Sequence, residues 1–144
     1  MHDHIGARPL SMLVALAVTG CVSMSSYYVE PELPTERVAV IESASVKESY
    51  QRVSVSAIDG KELAAVEGRI RLAPGVHDLK LFISSSSLAI LFGEVDLHFD
   101  ARAQHVYRIG GTIQYGIARV WIADAETQQV IARAALKIAN TGDH

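Results

Sequence analysis

The segment Glu94-Val95-Asp96-Leu97-His98-Phe99-Asp100 alternates between polar and apolar side chains at every position. Successive side chains of a β-strand point to opposite faces of the sheet, so this period of two predicts a strand. Its apolar side chains are expected to face a core and its polar side chains to face solvent. A strand of this kind is typical of a sheet that packs against a second sheet.

The segments that precede it have the same period. Residues 68–73 place two apolar side chains inward, and residues 76–84 place His77 on one face with three apolar residues. Pro74-Gly75 lies between them and is a turn signal, because Pro fixes φ at one position and Gly frees it at the next. The sequence therefore predicts a β-hairpin across Pro74-Gly75.

Further short strands are predicted along the rest of the chain, at residues 37–43, 52–58, 105–113, 117–123 and 130–132. In the strand at residues 52–58, Ile58 is predicted on the outward face with the polar residues. Asp59-Gly60 is a predicted turn, and residues 61–66 are predicted to form a loop or a single helical turn. Gly93 indicates a β-bulge or a kink, and Gly110-Gly111 indicates a β-bulge. Residues 133–140 fit a strand or a short helix. The prediction is an all-β fold, a single antiparallel β-sandwich of about seven strands over residues 37–140.

Composition limits the classes of function. The chain has 144 residues, a formal net charge of −3 and one cysteine. A negative net charge lacks the excess of Lys and Arg that is typical of nucleic-acid-binding proteins. One cysteine allows neither an internal disulfide nor a cysteine-based zinc site. We expect no nucleic-acid partner and no cofactor.

An apolar run at residues 11–20 ends at that cysteine. It has the length of a signal-peptide core and is shorter than the about 20 residues of a transmembrane helix. Val18-Thr19-Gly20-Cys21 resembles a bacterial lipobox, in which Val18, Thr19 and Gly20 are recognised by the signal peptidase and Cys21 carries diacylglycerol and an N-acyl chain. The competing interpretation is a cytosolic protein whose first apolar element ends at a buried cysteine.

The lipobox resemblance implies an order of segments. Residues 1–20 are expected to be a cleaved signal peptide, and residues 21–36 a lipidated cysteine followed by a flexible linker with serines and prolines. Tyr27 and Tyr28 could contact lipid headgroups or pack on the domain. Residue 22 is Val rather than Asp, which implies an outer-membrane lipoprotein facing the periplasm.

Three segments in order, Ile58–Lys61, Leu72–His77 and Phe99–Ile109, resemble the small bacterial lipoproteins that carry a transthyretin-like or PEGA-like β-sandwich. The chain departs from that pattern at Gln104 and at Gln128-Gln129, where the family places glycine. The resemblance implies the sandwich fold and implies no catalytic residues.

Candidate chemistry is sparse in the sequence. The strand face with Glu94, Asp96 and Asp100 could bind a cation or a basic partner, although a solvated sheet face is the favoured explanation. Strand parity separates His77 from His98, so no metal site is expected. His77 is expected to pack at a hairpin end with its polar tip bonded to a carbonyl. No nucleophile–base pair is evident, which predicts that the protein is not an enzyme.

Trp121 and Tyr107 are expected to pack in the core, with a second possibility that Trp121 lies outside beside Arg119 as a recognition patch. The leading functional prediction is a membrane-anchored envelope lipoprotein acting as a non-enzymatic structural or protein-interaction module with an envelope partner. The alternative is a periplasmic ligand- or ion-binding sandwich that uses the acidic face around residues 94–100.

Overall fold

The computed structural model describes residues 27–43, 51–64, 68–85 and 91–138. Within these ranges nine strands form two sheets that pack face to face, and the helical content is one 3-10 turn at Thr35–Arg37. The predicted all-β sandwich is confirmed. The strands are β1 Ala39–Ser43, β2 Gln51–Ile58, β3 Lys61–Glu62, β4 Arg69–Leu72, β5 Gly75–Ser85, β6 Leu91–Ala101, β7 Val106–Gln114, β8 Ile117–Asp124 and β9 Val130–Lys137.

One sheet has five strands in the order β4-β1-β7-β8-β9, and the other has four in the order β3-β2-β5-β6. Neighbouring strands are antiparallel except β1 and β7, which run parallel with Val40 opposite Val106. The prediction of a wholly antiparallel sandwich is wrong at this pair. Strand direction here is not set by a tight turn, because β1 and β7 are far apart in the chain.

The predicted hairpin across Pro74-Gly75 is also wrong. β4 pairs with β1, placing Leu72 opposite Ala39, whereas β5 pairs with β2 and β6, placing Gly75 opposite Ala101. The chain therefore passes from one sheet to the other at this turn. Both strands still point apolar residues into the same core from opposite sides, and for that reason their sequence pattern looks like that of a hairpin.

A β-bulge reverses the predicted orientation of Ile58. The register between β2 and β5 shifts between Val55 and Ala57, so Ser56 is the extra residue and the alternation changes phase after it. Ile58 is consequently fully buried in the core rather than outward. Asp59 and Gly60 follow with φ of 51° and 76°, so the predicted turn is confirmed as a two-residue hairpin turn. It leads into the strand β3 at Lys61–Glu62, where a loop or helical turn was predicted over residues 61–66.

The bulges predicted at Gly93 and Gly110-Gly111 are absent, because the registers of β6 with β5 and of β7 with β8 run through them without a shift. These glycines serve close packing instead. A Cβ at Gly93 would lie 2.7 Å from Cδ2 of Leu136, and one at Gly111 would lie 2.7 Å from Cγ2 of Val53. Both clashes are with side chains of the facing sheet, so the missing Cβ atoms let the sheets approach.

The C-terminal segment is a strand, since β9 continues through Lys137 in register with β8. Residues 139 and 140 lie outside the described residues. The core between the sheets contains buried side chains from all of the strands except the two-residue β3 and the edge strand β9, which contributes partly buried residues.

Residues 27–33 form what we call the N-terminal strap, because they bridge the two sheets along one side. Tyr28 N donates to Glu62 O of β3 at 2.8 Å, and Tyr28 Oη donates to Arg71 O of β4 at 2.7 Å. Arg71 N donates to Glu30 Oε1 at 3.0 Å, and Arg71 Nη2 donates to Leu33 O. β3 and β4 are the edge strands of their sheets, so the strap covers an edge of each.

The described part of the predicted flexible linker is thus bonded to the sandwich, and Tyr28 packs on the domain rather than standing free of it. Burial raises the pKa of Tyr28 to about 12, with the charges of Glu30 and Asp59 acting in the same direction. The predicted signal peptide and the lipobox residues Val18, Thr19, Gly20 and Cys21 lie outside the described residues.

Candidate functional site

The acidic residues predicted from the sequence lie on β6, as expected from its alternation, but they do not form one cluster. Glu94 and Asp96 line an open groove of about 600 Å³ together with Asp78, Lys80 and His98. Asp100 instead lines a separate groove with Arg102 and His105. The structure therefore brings two of the three predicted carboxylates together.

The groove beside Glu94 and Asp96 has mixed charge. Lys80 lies directly opposite Asp96 on the neighbouring strand, and Nδ1 of His98 is bonded to Oδ1 of Asp78. In the part of the chain that the structure describes, no group of three or more His, Cys, Asp or Glu side chains is arranged to hold a metal ion. A cation at this groove would have to compete with the ammonium group of Lys80.

His77 binds the turn between β2 and β3. Its Nδ1 lies 2.7 Å from Oδ2 of Asp59, and its Nε2 lies 2.6 Å from the carbonyl oxygen of Ala73. The prediction that its polar tip bonds a carbonyl is confirmed, although the adjacent turn at Pro74-Gly75 joins the two sheets and is not the predicted hairpin end. Asp59 Oδ1 also accepts from the backbone N–H of Asp78 at 2.9 Å. Partial burial raises the pKa of Asp59, but the hydrogen bonds from Asp78 and His77 outweigh it and leave this pKa below its ordinary value.

His105 does the same for the turn between β8 and β9. Its Nδ1 lies 2.6 Å from Oδ2 of Asp124, a residue that is only 7% exposed. The other carboxylate oxygen accepts from the backbone N–H groups of Glu126 and Thr127 at 2.9 and 3.1 Å. The hydrogen bond from His105 and those from the backbone lower the pKa of Asp124 to about 2. Both pairs thus join a turn to a neighbouring strand.

Aromatic rings connect these two histidines through the end of the sandwich. Tyr107 packs edge-on against Phe99 at 5.2 Å between ring centroids and stacks with His105 at 6.0 Å, and His77 lies 6.4 Å from Phe99. Tyr107 is buried, as predicted, and its hydroxyl accepts from Arg102 N at 2.9 Å. Each described histidine bonds to a different aspartate, so the three do not form one site.

Trp121 lies on the outer face of the five-stranded sheet, the second of the two possibilities open from the sequence. It alternates with buried Val120 and Ile122, and it lies directly opposite Gly110, where a Cβ would come within 2.6 Å of its ring. Arg119 shares this face, and both line a groove of about 490 Å³ with Arg133. Alternation in the sequence predicted that Arg119 shares a face with Trp121. That Arg133 lies opposite Trp121 could be known only from the register of β9 with β8.

Comparison of the chain with known protein families, with curated proteins and with solved structures finds no match. Among the described residues, no helix is long and apolar enough to cross a membrane.

Proposed function

We propose that the chain is a lipid-anchored envelope protein whose sandwich acts as a non-enzymatic structural or protein-interaction module. The observation that carries the proposal is the N-terminal strap, because it links the segment that follows Cys21 to an edge of each sheet. A tether attached there would hold the whole sandwich rather than its first strand alone. The resemblance of the chain to small lipoproteins with a PEGA-like or transthyretin-like sandwich belongs to the same proposal.

The strap also limits how far the domain can stand from a membrane. Six residue steps separate Cys21 from Tyr27, and a fully extended chain of that length spans at most about 20 Å. Tyr27 lies beside Glu62 of β3, so the β3 edge is held near the bilayer. An acylated Cys21 would thus keep the domain at the membrane surface, on the periplasmic side of the outer membrane if Val22 acts as the sorting residue.

The chemistry of the described histidines supports a non-enzymatic role. The two ring nitrogens of His77 are both engaged, and the Nδ1 atoms of His98 and His105 are bonded to aspartates. Among the described residues, no Ser, Thr or Cys side chain is bonded to these imidazoles as a nucleophile would be to its base. These contacts stabilise turns and strand pairs.

Membrane fractionation of cells that express the full chain tests the anchor. After the membranes are washed with about 1 M salt to remove electrostatic binding, we expect the wild type and a Ser23→Ala control in the membrane fraction, and Cys21→Ser in the soluble fraction. Val22→Asp should stay membrane-bound but move from the outer to the inner membrane. A Cys21→Ser protein that still fractionates with membranes after that salt wash contradicts the lipid anchor.

A further inference from the structure

The two outer faces of the sandwich carry opposite charge, which the net charge of −3 conceals. On the five-stranded sheet, alternation with the buried residues places the following cations outward: Arg69, Arg71, Arg108, Arg119, Arg133 and Lys137. Among the described residues of the five strands of this sheet, Glu42 is the only carboxylate on the outer face. On the other sheet, the outward carboxylates Asp78, Glu94, Asp96 and Asp100 outnumber the outward cations Arg52 and Lys80.

The cations of the five-stranded sheet differ in their availability. Oε1 of Glu42 lies 3.5 Å from Nη1 of Arg69, and Oε2 of Glu42 lies 3.6 Å from Nε of Arg108. The guanidinium group of Arg71 donates a hydrogen bond to the strap. Arg119, Arg133 and Lys137, on β8 and β9, are exposed and have no carboxylate partner among the described residues. The free positive charge is therefore concentrated on the half of the face that lies away from the strap.

Trp121 lies beside this free charge. It is opposite Arg133 on β9 and two residues from Arg119 on β8. It is half-buried with its ring packed over Gly110 of β7, so part of the ring is presented to solvent on the same face as Arg119 and Arg133. Arginine and tryptophan side by side on a sheet face combine attraction for phosphate with an aromatic group that favours the level of lipid headgroups.

We propose that the face formed by Arg119, Trp121, Arg133 and Lys137 binds the surface of an anionic phospholipid membrane. The occupant is argued from charge complementarity and from position. The four residues lie on one outer face of two adjacent strands, so an extended surface can contact all of them at once, and each Lys or Arg near an anionic bilayer adds to the attraction. The acidic face of the other sheet, repelled by the same bilayer, would then point away from it.

This inference rests on the proposed function, because the lipid anchor is what brings the domain near a membrane. The geometry allows the anchor at Cys21 and the sheet face to contact the bilayer at the same time. The strap begins at β3, the edge of the four-stranded sheet, and packed sheets are about 10 Å apart. The reach of about 20 Å from Tyr27 to Cys21 suffices to bring the outer face of the five-stranded sheet to the bilayer. The lipid anchor raises the local concentration of the face at the membrane, so modest affinity is enough.

Vesicle sedimentation with the full chain carrying Cys21→Ser tests the face without any acyl chain. Vesicles of phosphatidylcholine alone measure whatever the apolar leader contributes, and vesicles with about one-third phosphatidylglycerol measure the electrostatic contribution. We expect clear preference for the anionic vesicles, lost when salt rises from about 0.1 M to about 1 M and the Debye length falls from about 10 Å to about 3 Å. Equal binding to both vesicle types overturns the proposal.

A matched pair of double variants locates the binding. Arg119→Glu with Arg133→Glu should weaken partition to anionic vesicles at least about tenfold. Arg52→Glu with Lys80→Glu makes the same change in net charge on the other sheet and should weaken it less than about twofold. Circular dichroism verifies that both variants remain folded. Equal losses in the two variants mean that net charge alone acts, and this result overturns the proposal.

Trp121 supplies an independent readout because it is the only tryptophan in the chain. Anionic vesicles should shift its emission to shorter wavelength and protect it from a soluble quencher, and phosphatidylcholine vesicles should do neither. If salt instead dissociates a self-associated form in sedimentation velocity, and vesicles leave Trp121 unchanged, the occupant of the face is the acidic sheet of a second copy and the membrane proposal is wrong. Failure of these tests leaves the Cys21 anchor, which fractionation measures separately, unaffected.

Discussion

Nδ1 of His105 lies 2.6 Å from Oδ2 of Asp124, so the start of β7 is joined to the turn that follows β8. The same carboxylate accepts two backbone hydrogen bonds within its turn. A single aspartate therefore organises the turn and fixes its position against the neighbouring strand. The pair of His77 with Asp59 joins the turn between β2 and β3 to β5, and the backbone N–H of Asp78 on β5 donates to the same carboxylate.

These carboxylates predict a loss of stability in acid. The pKa of Asp124 is about 2 in the folded protein, against an ordinary value of 3.8, so its contribution is complete above about pH 4 and disappears as the pH falls through 2. We expect Asp124→Asn to be less stable than the wild type at pH 7 and to show a shallower decline between pH 4 and pH 2. Thermal unfolding across this range measures both, and Glu126→Gln on the same turn is the control, expected to match the wild type.

Adjacent glycines on β7 should respond differently to alanine. A Cβ at Gly111 would lie 2.7 Å from Val53 and 2.9 Å from Ile83 inside the core, so Gly111→Ala should cost about 1–3 kcal/mol. At Gly110 the obstacle is the ring of Trp121, which lies on the outer face and can move toward solvent. We expect Gly110→Ala to destabilise less, while altering tryptophan emission. Urea unfolding with fluorescence measures both effects, and the reverse ranking would contradict the packing described.

The bulge at Ser56 predicts a large effect at Ile58. Because this side chain is fully buried, Ile58→Ala should cost about 2–5 kcal/mol. Val76 is 73% exposed on the adjoining strand, and Val76→Ala should change stability by less than about 0.5 kcal/mol. Chemical denaturation compares the two variants. Similar small effects would mean that β2 continues without a bulge and that Ile58 faces solvent.

The attachment of the strap can be measured through one hydroxyl. Tyr28→Phe removes the hydrogen bond to Arg71 O and should lower the free energy of unfolding by about 1 kcal/mol. Tyr115 is wholly exposed, so Tyr115→Phe is the matched control and should have no effect. Absorbance titration adds a second check, because a phenol with a pKa of about 12 should be missing only from Tyr28→Phe.

Divalent cations test the alternative role of the acidic face. Lys80 lies opposite Asp96, and Asp100 lines a different groove. We therefore expect Ca²⁺, Mg²⁺ and Mn²⁺ to leave the melting temperature unchanged. A rise that Asp96→Asn abolishes would restore the interpretation of this face as an ion site. Glu32→Gln, at an exposed position of the strap, controls for a general effect of charge.

The sequence predicts the strands well because alternation at period two is a local property, and β5, β6 and β8 show it clearly. It does not predict to which sheet a strand belongs. β4 and β5 have the inward pattern of a hairpin although they belong to different sheets, and the single extra residue at Ser56 changed the phase of everything after it in β2. Both errors arise where long-range pairing overrides a local signal.

For the candidate sites as well, the sequence predicted what local alternation determines and missed what long-range pairing determines. Strand parity correctly joined Trp121 to Arg119 and correctly turned Glu94 and Asp96 outward. The pairs of His77 with Asp59 and His105 with Asp124 were invisible because each joins residues that only the fold brings together. An aspartate at a predicted turn is the one signal that could have suggested them, because such residues readily accept backbone hydrogen bonds.

The parallel pairing of β1 with β7 has a consequence for how the chain folds. β1 lies between β4 and β7, and its partner Val106 is far along the sequence, so the five-stranded sheet cannot close until most of the chain is available. Such non-local pairing slows folding. We expect slow refolding that ends with the docking of β1. The export through a membrane that the proposed function requires needs a chain that stays unfolded until it has crossed, and late closure of this sheet would keep the chain unfolded for longer.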